Sequence, residues 1–311
     1  MKKTTGTFML LLTAFIWGTA FVAQSSASEN IGSFRFNAAR SFIAFIFLLI
    51  VIGIKSLIQK NCSVARQTNQ IPVSFKKILI AGTLCGIALC AAANFQQFGI
   101  ALYPDGVAST GRAGFLTSTY VIMVALCARI FGKKLHPMVW IATVSCIVGM
   151  YMLCMSGGVS GLYMGDLLLF ICAICFTCHI LIIDRFTYID GLKISCVQFL
   201  VCAIFSAVGM LIFEQFDVES FSAAGFEIFY AGVMSSGVAY TFQIVGQKYT
   251  EPSVASIVMS LESVFAALAG WVILKEHFNT VELLGCVLVF VAVILAQVPE
   301  LKKGTCPYDS V

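Results

Sequence analysis

The chain has 311 residues, of which 59% are hydrophobic and 11% charged, with a mean hydropathy of +0.96 and a net charge of +4. These values lie far from those of soluble domains and place the chain in a lipid bilayer. No basic run interleaved with aromatics argues for nucleic acid, and eleven of the thirteen cysteines fall inside apolar stretches as small buried hydrophobes rather than a disulfide framework.

A membrane-spanning helix needs about 20 predominantly apolar residues, and ten segments meet that pattern. Segment one, 5–24, carries Trp17, an aromatic suited to a cavity wall or to core packing. The start, Met1-Lys2-Lys3, an apolar run and Ser25-Ser26-Ala27, also has the outline of a secretory signal. The run is long for a signal, and Gly6, Ala14 and Trp17 have counterparts in Gly165, Ala173 and Phe176, so retention is expected. Segment two, 33–54, is followed by a polar stretch from Lys55 to Lys77.

Segment three, 77–99, has Asn94 and Gln97 at three-residue spacing, hence on one helical face. Amides there suit a polar solute or hydrogen bonds to neighbouring helices. Segment four, 107–129, contains Arg112 in its outer third, and Thr117 and Tyr120 below it supply a hydroxyl and a phenol. Segment five, 138–155, leads into the glycine-rich connection Ser156-Gly157-Gly158-Val159-Ser160-Gly161.

Segment six, 163–183, holds Cys172, Cys175, Cys178 and His179. Three of these share a face, but a metal site would need ligands from elsewhere, so no metal or other cofactor is expected. His179 is read as packed and hydrogen-bonded, or as a solute contact or proton relay. Segment seven, 193–213, precedes the acidic loop from Glu214 to Phe221. Segment eight, 224–246, aligns Tyr240, Gln243 and the adjoining Gln247 on one face.

Segment nine, 253–273, places Glu262 near mid-depth, and segment ten spans 280–298. An ionisable group at the centre of a membrane helix costs roughly 2.5 to 3.5 kcal/mol on insertion scales, so such residues mark function by default. The depths of Glu262 and Arg112 differ by only about 6 Å at 1.5 Å per residue. Two readings follow: both face a cavity and bind a charged or zwitterionic solute, with Glu262 also a proton carrier, or they form a permanent ion pair between segments four and nine.

Fifteen of the nineteen lysines and arginines fall on one side if the N-terminus is inside. Arg35 and Lys275 lie near the other surface, and Arg40 and Arg112 fall within segments. The positive-inside rule thus predicts both termini in the cytoplasm.

A duplication organises the whole. Phe95, Gln96, Gly99, Val107, Ala108 and Ser109 recur 147 residues later as Phe242, Gln243, Gly246, Val254, Ala255 and Ser256. The expected fold is therefore an all-α integral membrane protein of ten transmembrane helices, built as two five-helix repeats, 1–155 and 156–311. Five crossings invert the second copy, an arrangement common in secondary transporters, with the solute site between repeats near the midplane. The equivalence of Gln96 and Gln243 favours a structural role for them, since a solute is rarely as symmetric as its carrier.

The stretches Phe15-Ile16-Trp17-Gly18, Gly111-Arg112-Ala113-Gly114-Phe115-Leu116-Thr117 and Ser260-Leu261-Glu262-Ser263-Val264-Phe265-Ala266-Ala267-Leu268 closely resemble the EamA family of the drug/metabolite transporter superfamily. The resemblance covers about residues 5 to 298. It implies transport of small metabolites, commonly export, through a central cavity lined by helices one to four and six to nine. Where the family usually has prolines, this chain has Ser263 in segment nine and Ala125 in segment four, which removes two natural kinks.

The expectation is a multi-pass carrier of the plasma or inner membrane, monomeric or weakly dimeric, exporting small polar or amphipathic metabolites, amino-acid-like or drug-like. Uptake or exchange uses the same architecture, and a membrane scaffold or lipid scramblase is the reading from another class. An enzyme is not expected: no His-Glu-x-x-His or paired intramembrane aspartates argue for a protease, no P-loop argues for ATP-driven pumping, and no selectivity element argues for a channel.

Overall fold

The computed structural model describes residues 3–61, 73–104, 109–154, 163–215, 217–274 and 280–303. Every element among them is helical: α1 (Lys3–Ser28), α2 (Ser33–Asn61), α3 (Phe75–Ala101), α4 (Ser109–Ser118), α5 (Tyr120–Ile130), α6 (Pro137–Cys154), α7 (Met164–Arg185) and α8 (Gly191–Phe213). A short α9 (Val218–Ala223) precedes α10 (Gly225–Tyr230), a π-helix (Ala231–Ala239), α11 (Tyr240–Gln247), α12 (Pro252–Met259), α13 (Leu261–Leu274) and α14 (Thr280–Lys303). Eight stretches are long and apolar enough to cross a membrane, and 137–152 and 283–296 form two shorter apolar helices. Large apolar side chains such as Phe8, Phe15, Leu211 and Phe213 stand exposed on the outside of the bundle, as a lipid-facing surface requires.

Two connections differ from their predicted form. The stretch beginning at Lys55 continues α2 as far as Asn61, and the acidic loop contains α9. That helix starts because Asp217 accepts hydrogen bonds from the amides of Glu219 (3.0 Å) and Ser220 (3.1 Å), satisfying donors left open in a first turn.

Segments four and nine are interrupted, although neither has the proline that would bend it. Thr119 (φ −61°, ψ −12°) separates α4 from α5, and Ser260 (φ −63°, ψ −11°) separates α12 from α13. In both, the hydroxyl donates to the carbonyl three residues back: Thr119 to Leu116 at 2.6 Å and Ser260 to Ile257 at 2.7 Å. A side chain competing for its own helix's carbonyls tightens and bends that helix.

Segment eight is loosened instead. Its π-helix is serviced from α1, where Thr13 donates to the Ala239 carbonyl (3.1 Å) and the Trp17 indole to the Ser235 carbonyl (3.3 Å). Ring-widened turns of this kind are frequent at functional sites.

The packing repeats with the sequence. Segments one and eight cross at Gly6 and Gly246, and segments six and three cross at Gly165 and Gly99. A Cβ at Gly6 would stand 3.2 Å from the Gly246 carbonyl oxygen, and one at Gly165 would stand 2.6 Å from that of Gly99. Gly6 aligns with Gly165 and Gly99 with Gly246, so one close crossing occurs twice. In the same way α1 packs on α13 and α4 on α7, while α2 packs on α8 and α6 on α14.

Ion pairs tie the ends together. On the face that carries the start of α2, Glu214 accepts from the amides of Phe34 (2.9 Å) and Arg35 (3.0 Å) and from Arg35 Nε (3.3 Å). On the face that carries the N-terminus, Lys55 meets Asp190 at 2.9 Å and Lys133 meets Asp184 at 2.8 Å.

Candidate functional site

The interruptions of segments four and nine meet. Ser118 and Tyr120, either side of the break at Thr119, both donate to Glu262 Oε1 at 3.1 Å, and Glu262 follows the break at Ser260 by two residues. Its carboxylate is buried, with 4% of the residue exposed, and helps wall a cavity at the centre of the bundle.

That cavity also takes Trp17 and Gln24 from α1, Arg40 from α2, Gln96 from α3, Thr117 from α4, Phe176 from α7, and Tyr240 and Gln243 from segment eight. Counted as the space that the centres of water molecules can occupy, it measures about 30 Å³.

The wall is partly aromatic. Trp17 lies 4.6 Å from Tyr240 between ring centroids, and Tyr120 lies 6.5 Å from Phe176. Towards the face that carries the start of α2, an amide ladder borders it: Gln97 Nε2 donates to the Gln24 carbonyl (3.0 Å), Gln24 to Gln96 (3.2 Å) and Gln96 to Thr117 (3.4 Å). Two pairs that align between the halves of the sequence, Trp17 with Phe176 and Gln96 with Gln243, line the same space.

Of the residues singled out from sequence, the structure gathers Trp17, Thr117, Tyr120, Tyr240, Gln243 and Glu262 around this cavity. Asn94 stands apart from it: it accepts from Asn37 (3.0 Å) and donates to Ser206 (3.0 Å), joining α2, α3 and α8. Gln97 belongs to the amide ladder behind the wall. His179 is fully buried, with Nε2 3.1 Å from Gln198 Oε1 and its ring 5.9 Å from that of Tyr240. Arg112 is in α4, but its side chain lies outside the described residues.

Four lining or supporting residues were not singled out beforehand as solute contacts: Gln24, Arg40, Gln96 and Ser118. Arg40 carried the same signal as Glu262, a charge inside an apolar segment. Gln24 and Ser118 carry no signal in one sequence, because polar residues near segment ends and small hydroxyls are ordinary there. Among the described residues, no three histidine, cysteine or acidic groups come together as a metal site.

Several buried side-chain atoms have no hydrogen-bond partner among the described residues. They include His179 Nδ1, Gln198 Nε2, Gln243 Oε1 and Gln247 Oε1.

The chain is similar to known proteins in family and in fold. The family described as "EamA-like transporter family" matches the chain twice, over residues 4–155 and 163–297. A protein of Archaeoglobus fulgidus called an uncharacterized transporter is 28% identical over 290 residues, covering 93% of this chain and 84% of its own. A solved crystal structure superposes with a TM-score of 0.75 at 17% identity, covering 94% of this chain and 98% of the other, which is a likeness of fold.

Proposed function

The chain belongs to the EamA-like transporter family, and from that premise we propose that it exports small polar or amphipathic metabolites, amino-acid-like or drug-like, by alternating access through the central cavity. It is a multi-pass membrane protein with a two-repeat architecture. In our reading the repeats, 1–155 and 156–311, lie inverted in the plasma or inner membrane with both termini cytoplasmic. The carrier acts as a monomer or weak dimer, without a cofactor and without nucleic acid.

The observation that carries this reading is the cavity itself. Equivalent residues of both repeats wall it, and a buried carboxylate, Glu262, stands at its edge where two interrupted helices meet. In alternating access the repeats move apart on one side of this cavity at a time. The breaks at Thr119 and Ser260 and the π-helix sit where such movement needs compliance.

The experiment is counterflow in proteoliposomes. Purified protein is reconstituted, loaded with unlabelled candidate solute and exposed to a trace of labelled solute outside. A carrier accumulates the label transiently and saturably. A scaffold or scramblase gives no solute-dependent overshoot, and that result would remove the proposal. Everted and right-side-out vesicles then separate export from uptake.

A further inference from the structure

Among the described residues, no carboxylate pairs with Arg40. It lies seven residues into α2, about 10 Å along the helix from its start at 1.5 Å per residue, and only 5% of it is exposed. Arginine keeps its proton in proteins and presents five N–H donors. Its guanidinium carbon stands 5.4 Å from the centre of the Phe36 ring, and Tyr240, Cys90, Cys172 and Cys202 are its nearest titratable neighbours among the described residues.

A buried unpaired cation is among the costliest placements in a membrane helix and marks a site by default. Arg40 lines the cavity. So does Glu262, whose Oε1 is already engaged by Ser118 and Tyr120. The rest of the wall includes Trp17, Phe176 and Tyr240, which accept an apolar body and leave the guanidinium as the cationic anchor. A planar guanidinium fork matches a carboxylate in two parallel hydrogen bonds, which no alkyl ammonium or neutral hydroxyl of a solute can offer.

Resting on the transport reading above, we infer that Arg40 is the docking point for a carboxylate on the transported solute. The solute class is therefore organic acids and zwitterions with an apolar body, and cationic drug-like amines are excluded unless they also carry an acid. Glu262, across the same cavity, receives the ammonium when the solute has one.

The test uses probes that share a body and differ only in charge: L-phenylalanine, 3-phenylpropanoate and 2-phenylethylamine, with the corresponding alanine and leucine sets. Each is added to the purified full-length protein, and the shift in thermal midpoint is read across concentration. The expected result is stabilisation by the carboxylate-bearing members of at least one set and none by the amine alone. The apparent Kd weakens at least tenfold in Arg40→Gln and by less in Arg40→Lys, which keeps the charge without the fork.

Equal stabilisation by the amine overturns the inference, as do carboxylate binding unchanged in Arg40→Gln, no carboxylate hit in any set, or the same shift from chloride or phosphate alone. Should Arg40→Gln fail to fold, the probe comparison on the native protein and on Arg40→Lys still decides. Counterflow of the bound probe is measured separately: binding through Arg40 without counterflow removes the carrier reading and leaves the carboxylate assignment standing.

Discussion

Tyr120 donates its phenolic proton to Glu262 Oε1 across 3.1 Å, and this bond joins the bend of segment four to the bend of segment nine. Ser118 makes the parallel bond, so the carboxylate holds two helices together and lines the cavity as well. Removing the charge and removing one donor therefore have different costs. Glu262→Gln is expected to reduce counterflow at least tenfold, since hydrogen bonds to charged groups are worth about 1.5–3 kcal/mol and a zwitterionic solute loses its counter-charge. Tyr120→Phe leaves Ser118 in place and is expected to cost a few-fold. Initial counterflow rates of the two variants, normalised to reconstituted protein, check the order.

The repeat-equivalent glutamines predict an asymmetry. Gln96 is bonded on both sides, to Gln24 and Thr117, whereas Gln243 Oε1 has no partner among the described residues. Gln96→Leu is expected to lower stability by about 1–3 kcal/mol, the cost of leaving a buried polar group unpaired. Gln243→Leu is expected to leave the thermal midpoint unchanged or higher while slowing transport. Thermal melts alongside counterflow distinguish the two.

Gly165→Ala tests the repeated crossing. The added methyl would sit 2.6 Å from the Gly99 carbonyl oxygen, which is backbone and cannot swing aside. A loss of about 1–3 kcal/mol is expected, typical of overpacking. Gly53→Ala, with nothing within 4 Å of the new Cβ, is the control and should melt like the native protein.

Ser263→Pro restores the residue that the family usually carries. Position 263 falls in the first turn of α13, where its amide bonds only to the Ser260 carbonyl at 3.1 Å. The substitution is expected to cost well under the ~3 kcal/mol of a proline in a helix interior. A midpoint drop as large as that for proline at Leu268, in the middle of α13, would show that the break at Ser260 does not persist in the membrane.

The course of the chain was legible because apolar length, glycine spacing and the Phe95/Phe242 duplication are written in residue types. The bends were not. The absence of proline points to unkinked helices, whereas Thr119 and Ser260 interrupt them through hydroxyls that compete for local carbonyls. The equivalence of Gln96 and Gln243 favours a structural role for both, and both also line the cavity, with Gln96 bonded to Gln24 and Thr117. Asn94 and Gln97 share a face that turns towards neighbouring helices, which spacing alone does not reveal. Arg40 was visible as an intramembrane charge, but one sequence does not say which segment faces which.

The π-helix of Ala231–Ala239 carries a consequence for how this span tolerates change. A π turn takes up nearly one residue more than an α turn, so the span holds surplus chain between α10 and α11. Elsewhere in a membrane helix, deleting one residue rotates everything beyond it by about 100° and drags a polar face into lipid. Here a single deletion is expected to be absorbed in part by tightening of the widened turns, so that Tyr240 and Gln243 turn through less than that angle. Such a deletion gives up the widened turns whose carbonyls Thr13 and Trp17 now hold, in a span that supplies Ser235, Tyr240 and Gln243 to the cavity.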